Sequence, residues 1–198
     1  MNAIVISGGP GAGKSTLLNV LKQRGYHCSD EVSRQLIQEQ VLLNTENVPW
    51  KNLSAFADLV LERMIEEYNK SLHAEGMTFF DRAIPDIVAY LKAGKIEITD
   101  QYEQAIVKYP YHQNIFMAPP WETIYVNDSE RWQTFAEATA LYHMLTETYK
   151  SAGYTLIELP FCSAEKRADY VLEKLALNKP WRSPHQNYSD KSKTRRKS

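Results

Sequence analysis

The sequence predicts a three-layer α/β fold built on a central parallel sheet of about five strands. Short apolar runs alternate with helical patterns from one end of the chain to the other. Such alternation is typical of right-handed βαβ units, which place helices on both faces of a parallel sheet. The chain has 198 residues, which is the size of one domain with one core and too short for a barrel of about 250 residues.

The strands and helices follow from apolar spacing. Short apolar runs bounded by turn residues predict buried strands; these runs are 3–6, 26–28, 77–80, 114–117 and 154–159. Apolar residues at helical spacing predict the helices; these are 14–24, 32–43, a long one from 53 that ends before Gly76, one opened by Pro85 and stopped by Gly94, 101–109, one capped by Asp128 or Ser129, and one capped by Ser163.

Charge divides the chain into two parts. The formal net charge of −1 gives no whole-chain field for collecting nucleic acid. Residues 179–198 nevertheless hold seven basic residues and one acid, which leaves the body at −7. We therefore predict a folded unit over 1–177 and a basic, disordered tail over 178–198. The tail could bind nucleic acid or an anionic membrane, but 191–197 carries no aromatic residue for stacking, and a solvated terminus is the simpler interpretation.

Cysteine usage indicates a reducing compartment. Cys28 and Cys162 lie far apart in no metal-like pair, as expected of free thiols inside the cell. The first apolar run leads straight into glycines rather than forming a signal peptide, and no window approaches the ~20 apolar residues of a membrane span. The sequence therefore predicts a cytoplasmic protein.

One motif dominates the sequence. Residues 8–15 fit the pattern G-x-x-x-x-G-K-[ST] between a predicted strand and a predicted helix. The glycines let backbone N–H groups converge on a phosphate, and the following helix adds its positive end. Lys14 would reach the β and γ oxygens, and Ser15 would ligate Mg²⁺. The motif predicts that the chain binds a nucleoside triphosphate with Mg²⁺.

The class of P-loop protein is narrowed by what the sequence lacks. It contains neither the Asn/Thr-Lys-x-Asp nor the Asp-x-x-Gly stretch of a Ras-like GTPase, and no transporter signature of the LSGGQ type. The chain is also too short for a hexameric module with an extra helical domain. The small-kinase branch remains, in which a P-loop domain passes a phosphoryl group to a small molecule.

Five segments carry a specific resemblance. They are Gly8-Gly9-Pro10-Gly11-Ala12-Gly13-Lys14-Ser15-Thr16, Glu31-Val32-Ser33-Arg34, Phe80-Asp81-Arg82-Ala83-Ile84-Pro85-Asp86, Pro119-Pro120-Trp121-Glu122 and Asn127-Asp128-Ser129-Glu130-Arg131. Together they resemble the NadR/Ttd-type AAA domain family over about residues 3–177. Its members are similar to ribosylnicotinamide kinase and, more distantly, to nucleoside and nucleotide kinases. The resemblance implies ATP binding by the residues of the first segment and a thymidylate-kinase-like fold.

Asp81 ends an apolar strand and should therefore lie at the carboxyl edge of the sheet, beside the phosphate loop. There it could hold Mg²⁺ through water or orient the acceptor. Alternatively, it could cap the next helix or pair with Arg82.

The resemblance also implies roles for residues around the phosphates. Glu31 would be the base that accepts the acceptor's proton, with Arg34 one helical turn on and Arg82 binding an anionic acceptor or the transferred phosphoryl group. Arg131 would be a lid arginine acting during transfer, and the loop at Cys162 would lie along the adenine. The simpler alternatives are an acidic first turn at Glu31, an Arg82 ion pair with Asp86 at i+4, a solvated Arg131 and an ordinary loop at Cys162.

These observations predict an ATP-dependent kinase acting on a small hydroxylated acceptor, such as a nucleoside or a nicotinamide-type riboside. The general base is placed on Glu31, with Asp81 or Asp30 as substitutes if its carboxylate turns away from the cleft. The main alternative is a nucleotide-dependent regulatory module that hydrolyses ATP slowly.

Overall fold

The computed structural model describes residues 2–125 and 134–176. Its strands, numbered in chain order, are β1 (Ala3–Gly8), β2 (His27–Ser29), β3 (Thr78–Asp81), β4 (Asn114–Ala118) and β5 (Thr155–Glu158). Its α-helices are α1 (Lys14–Gln23), α2 (Val32–Leu42), α3 (Leu53–Ser71), α4 (Ile84–Ala93), α5 (Asp100–Lys108), α6 (Phe135–Ser151) and α7 (Ala164–Lys174).

The five strands form one parallel sheet in the order β2-β3-β1-β4-β5. This confirms the predicted fold class. Strand β1 is central and buried along its whole length. Its register pairs Ile6 with Asp81 of β3 and Gly8 with Ala118 of β4. The carboxyl ends of these strands therefore meet at one edge of the sheet.

Apolar layers cover both faces of the sheet. One layer packs α3, α4 and α6 against Val5, Phe80 and Ile115. The other packs α1 and α7 against Ile4, Phe79 and Phe116, with alternating residues of the same strands pointing to opposite faces. Within the described residues, no helix is long and apolar enough to cross a membrane.

The predicted start of the sixth helix is wrong. The helix was expected to begin after Asp128 or Ser129, which lie outside the described residues. In the structure α6 begins at Phe135, because Thr134 forms a reciprocal capping box with Glu137. The Thr134 hydroxyl accepts from the Glu137 amide, and the Glu137 carboxylate accepts from the Thr134 amide. Most other predicted boundaries differ from the structure by about a residue, the usual uncertainty of helix and strand ends.

Candidate functional site

The phosphate loop joins the end of β1 to the start of α1. Gly8, Gly11 and Gly13 all have positive φ angles, of 141°, 74° and 82°. A Cβ atom at Gly8 would lie 2.3 Å from the carbonyl oxygen of Ala118. Glycine is therefore required where β1 passes closest to β4, and the turn that follows leads into the N-terminus of α1.

Lys14 lies beneath this loop and is 5% exposed. Its ammonium group donates to the carbonyl oxygens of Gly8 and Gly9 at 3.0 and 2.9 Å. Burial lowers the pKa of Lys14, and the neighbouring charge of Arg82 lowers it further. The lysine is thus held within the loop, where its charge can face a phosphate.

Ser15 and Asp81 form the second polar contact of the site. The Ser15 hydroxyl lies 3.3 Å from Oδ2 of Asp81, which is 3% exposed. The other carboxylate oxygen, Oδ1, is buried and has no hydrogen-bond partner among the described residues. Burial raises the pKa of Asp81, although the charge of Lys14 opposes this. A hydroxyl beside a buried carboxylate with a spare oxygen suits Mg²⁺, which takes one or two carboxylates together with substrate phosphates.

Arg82 adopts an uncommon backbone conformation for a non-glycine residue, with φ of 73°. Its side chain is 5% exposed and turns back under the phosphate loop. Nε donates to Glu31 at 3.0 Å, while Nη1 donates to the carbonyl oxygen of Gly8 at 3.1 Å and lies 3.5 Å from Asp86. Arg82 therefore forms ion pairs with both Glu31 and Asp86. The pair with Asp86 is the structural role considered for Arg82, and the pair with Glu31 places the same side chain in the cleft, where it could also bind an anion.

Glu31 precedes α2 and faces the same cleft. Burial alone would raise its pKa, but the charges of Arg82 and Lys14 outweigh that effect and hold the pKa at about 2. Arg34, one turn later, lies 3.9 Å from the second Glu31 oxygen. Asp30, the substitute base, instead pairs with Lys22 at the surface. Of the two acids after β2, only Glu31 lines the cleft.

Asp86 links the cleft to the helices behind it. Its carboxylate accepts from the Ser7 hydroxyl at 2.7 Å and from the Ala83 amide at 2.9 Å, and it also accepts from the Tyr149 hydroxyl. Asp86 is 1% exposed. Sequence reasoning treated Asp86 only as a partner for Arg82, because the contacts to Ser7 and Tyr149 span 79 and 63 residues.

Arg167 is a site residue that sequence reasoning missed. This α7 side chain is 2% exposed and donates to the Ala12 carbonyl oxygen at 2.7 Å and to the Pro160 carbonyl oxygen at 2.8 Å. Its guanidinium lies 5.0 Å from the ring centroid of Trp121, and its Nη2 is buried with no hydrogen-bond partner in 2–125 or 134–176. A signal was present, since position 167 falls within the apolar stripe of the last helix, where a charge is unusual.

A cavity of about 900 Å³ joins these residues. It is lined at one end by the phosphate loop, Trp121, Cys162 and Arg167, and it continues past Glu31 and Arg82 between α2, α3 and α4. The predicted residues Lys14, Ser15, Glu31, Arg34, Arg82 and Cys162 therefore share one space, with Asp81 beside Ser15. Arg131 lies outside the described residues. Among those described, no cluster of three or more His, Cys, Asp or Glu side chains is arranged to hold a metal by itself.

Comparison with known proteins gives a matching family and several relatives. The model of a family described as an AAA domain matches residues 3–167. A nucleotide-binding protein of Stutzerimonas stutzeri strain A1501 is 45% identical over 49 residues, 23% of this chain and 17% of that protein. Another, from Pseudomonas savastanoi pv. phaseolicola, is 27% identical over 121 residues, 56% of this chain and 38% of that protein. The chain thus matches well under half of these relatives' length.

Solved structures share the fold. The NadR protein in complex with NR superposes with a TM-score of 0.66 at 16% identity, covering 91% of this chain and 53% of that one. Deoxyadenosine kinase from M. mycoides with bound dATP has a TM-score of 0.63, also at 16% identity, covering 89% of this chain and 100% of that one. This chain therefore shares its fold with the NadR protein and with deoxyadenosine kinase.

Proposed function

We propose that this chain, which belongs to the AAA domain family, is an ATP-dependent kinase of a small hydroxylated acceptor such as a nucleoside or a nicotinamide-type riboside. One observation carries the proposal: the cavity does not end at the phosphate loop but continues past Glu31 and Arg82 between α2, α3 and α4. We call this part the second compartment; it is lined by Ile37, Gln38, Phe56, Val60, Met64 and Ile87. A domain that only hydrolysed ATP would need no such space beside the γ-phosphate. Structural relatives named as kinases, a deoxyadenosine kinase and a thymidylate kinase, support the same interpretation.

The nucleotide would occupy the end of the cavity at the phosphate loop. Backbone N–H groups of the loop and the start of α1 would hold its phosphates, and Lys14 would neutralise the β and γ oxygens. The residues assigned to nucleotide binding are Gly8, Gly9, Pro10, Gly11, Ala12, Gly13, Lys14, Ser15, Thr16 and Cys162. Ser15 and Asp81 would hold Mg²⁺, which supplies positive charge to the transferring phosphoryl group.

The acceptor would approach from the second compartment. Its hydroxyl oxygen forms a bond to the γ-phosphorus while the bond to the β–γ bridging oxygen breaks, and ADP leaves with that electron pair. The hydroxyl proton passes to Glu31. A carboxylate with a pKa of about 2 is a weak base. A weak base is sufficient here, because phosphoryl transfer depends mainly on positioning and electrostatic stabilisation.

Two arginines would assist the transfer. Arg82 lies between Glu31 and the phosphate loop, so its charge can offset the charge that develops on the phosphoryl oxygens. Arg131 is proposed as a lid arginine that acts in transfer rather than in nucleotide binding.

We also propose that the protein is located in the cytoplasm, since Cys28 and Cys162 are both free thiols.

Labelled phosphate transfer from γ-³²P ATP to a panel of nucleosides, nucleotides and other small metabolites tests the proposal. Transfer to an acceptor is expected. Slow ATP hydrolysis with no labelled acceptor would instead favour a nucleotide-dependent regulatory module.

The Lys14→Ala variant tests whether the phosphate-loop end of the cavity binds ATP. Removing the ammonium group should abolish tight ATP binding measured by calorimetry, because its charge faces the phosphates. The domain should stay folded, since within the described residues the Lys14 ammonium group donates to carbonyl oxygens of its own loop. Wild-type ATP affinity in this variant would contradict the assignment of the phosphate loop.

A further inference from the structure

One buried carboxylate of the cavity has no part in the proposed transfer step. Asp86 lines the cavity from the first turn of α4. Its Oδ1 atom accepts from the Ser7 hydroxyl at 2.7 Å and lies 3.5 Å from Nη1 of Arg82. Its Oδ2 atom accepts from the Ala83 amide at 2.9 Å and from the Tyr149 hydroxyl. Each carboxylate oxygen therefore faces two donors.

These donors favour a carboxylate over a neutral amide of the same shape. An asparagine would turn its NH2 group towards Arg82 on one side or towards the Ala83 amide on the other, and neither of these groups can accept a hydrogen bond. A buried carboxylate also needs an opposite charge to offset its lost hydration. Arg82 supplies that charge to Asp86, so the position suits aspartate and not asparagine.

Three separate elements fix the Asp86 carboxylate. Ser7 lies in β1, directly before the phosphate loop. Ala83 is the N-cap of α4, and the buried Tyr149 lies in α6. The carboxylate therefore offers Arg82 a partner whose place is set by the sheet and by two helices.

The other acidic partner of Arg82 changes its charge during the proposed step. Glu31 accepts from Nε of Arg82 at 3.0 Å. When Glu31 takes the acceptor's proton it becomes neutral, and a neutral carboxyl group holds a guanidinium more weakly than a carboxylate does. Asp86 receives no proton in this scheme and keeps its contact with Nη1. Asp86 can therefore hold the guanidinium in place while the contact with Glu31 weakens.

This inference rests on the proposed kinase function. We propose that Asp86 is a positioning residue, which holds the guanidinium of Arg82 beside the phosphate loop while the phosphoryl group is transferred. Arg82 supplies the charge, and Asp86 acts on the reaction through Arg82. Because that charge matters most where negative charge develops in the transition state, loss of Asp86 should slow transfer more than it weakens binding.

Asp86→Asn in the full chain tests the proposal. We expect the kcat for labelled transfer to fall by roughly tenfold or more, since a displacement of about 1 Å in a site can cost about 10²-fold. The KM values for ATP and for the acceptor should stay within about twofold of the wild type, as loss of an interaction made in the transition state predicts.

Asp58→Asn is the matched control. The Asp58 carboxylate also accepts from a tyrosine hydroxyl, that of Tyr102, and from the side chain of Gln101. It joins α3 to α5 and does not line the cavity. Its kcat and KM should therefore be those of the wild type.

Melting temperatures measured beside the kinetics separate positioning from a purely structural role. A lower melting temperature for Asp86→Asn with a wild-type kcat, assayed well below melting, would mean that Asp86 supports only the fold and would overturn the proposal. A higher KM for ATP with an unchanged kcat would also overturn it, because the effect would then reach the phosphate loop through Ser7.

A double-mutant cycle tests whether Asp86 acts through Arg82. Arg82→Gln should lower the kcat, and adding Asp86→Asn should lower it by no more than about twofold further. Fully additive losses would contradict the proposal. If Asp86→Asn does not fold, Tyr149→Phe decides the question, because it removes one donor from the same carboxylate. Its kcat should fall at least about twofold, and a wild-type kcat would overturn the proposal.

The wild-type protein separates this inference from the proposed function. If it transfers phosphate to no acceptor, the kinase function fails, and the same variants are compared by their kcat for ATP hydrolysis. Arg82 donates to the Gly8 carbonyl oxygen in either case, so the same fall is expected. A wild-type rate of hydrolysis in Asp86→Asn would then overturn the positioning role.

Discussion

The guanidinium of Arg82 connects the phosphate loop with both carboxylates of the second compartment. Its left-handed backbone conformation turns the side chain back beneath Gly8, where it meets Glu31 and Asp86. Such a conformation costs about 1–3 kcal/mol and persists only where the surroundings enforce it. The contacts of Arg82 supply that enforcement, so the fold itself holds its charge beside the phosphate loop.

Glu31→Gln tests the role of the carboxylate. We expect transfer to fall by an amount near the lower end of the about 10²–10⁴-fold that a general base usually contributes, because a carboxylate with a pKa of about 2 is a weak base. ATP affinity should change little. Glu39→Gln, in the helix α2 that follows Glu31, is the matched control, because Glu39 pairs with Arg63 and does not line the cavity. Steady-state transfer and calorimetry provide the two readouts. A wild-type rate for Glu31→Gln would move the base to Asp81.

The ion pair between Glu31 and Arg82 predicts that the protein loses stability in acid. Glu31 has a folded-state pKa of about 2 against an ordinary value of 4.5. Its stabilising contribution is therefore complete above about pH 4.5 and is lost as pH falls towards 2. Between about pH 6 and about pH 3, the melting temperature of the wild type should fall further than that of Glu31→Gln. Parallel curves for the two proteins would show that the pair contributes no stability.

At the scale of secondary-structure elements, local patterns predicted most of the fold. Apolar spacing located β1, β3 and β4 because each is a short buried run. It also located the edge strands β2 and β5, which are only partly buried, and the helices, each of which has an apolar face. The start of α6 was predicted wrongly because Asp128, Ser129 and Thr134 are all residue types that cap helices. Of the three, only Thr134 has a glutamate, Glu137, three residues later to complete a capping box. That local signal was present in the sequence and outweighs the earlier candidates.

The site residues that could not be predicted from the sequence are those that reach the site through contacts between distant elements. The phosphate loop is contiguous in sequence, and Asp81 follows a strand, so both could be placed from the chain alone. Arg167 lies 155 residues from its partner Ala12, and no local pattern specifies which loop a helix will contact. The apolar cavity lining formed by Phe56, Val60 and Met64 was equally hidden, because core-facing and cavity-facing residues have the same spacing on a helix.

Arg167 ties α7 to the phosphate loop, and its replacement tests that connection. Arg167→Met removes the donors to Ala12 and Pro160, so we expect a loss of about 1–3 kcal/mol of stability. ATP should also bind roughly tenfold more weakly, because the loop loses a contact that holds its conformation. Chemical denaturation and calorimetry measure the two effects.

Arg24→Met is the matched control for this experiment. Arg24, just after α1, also links to α7, through an exposed ion pair with Asp169 at 2.7 Å. Such surface pairs contribute about 0–1 kcal/mol, and Arg24 does not line the cavity. ATP affinity should therefore stay at the wild-type value. The same ATP affinity in both variants would contradict a positioning role for Arg167.

For the molecule as a whole, the sequence determined the class of sheet but not its order. Strand–helix alternation requires parallel pairing, whereas the order β2-β3-β1-β4-β5 depends on which strand each crossover reaches. The order matters for function because it sets β3 beside β1 and so brings Asp81 to Ser15. The division of charge, by contrast, can be read from the sequence directly, and it separates the basic tail from the acidic body.

Deleting 178–198 tests whether the domain is complete without that tail. The tail has little apolar surface beyond Trp181, so its removal should change stability by less than about 0.5 kcal/mol, or about 1–2 °C in melting temperature for a domain of this size. ATP affinity should be unchanged, because the nucleotide end of the cavity is built from residues before 168. If the full chain binds anionic vesicles or nucleic acid, the truncated chain should lose that binding, and added salt should weaken it steeply in the full chain. A large fall in melting temperature on deletion would instead mean that the tail packs on the body and that the unit extends past residue 177.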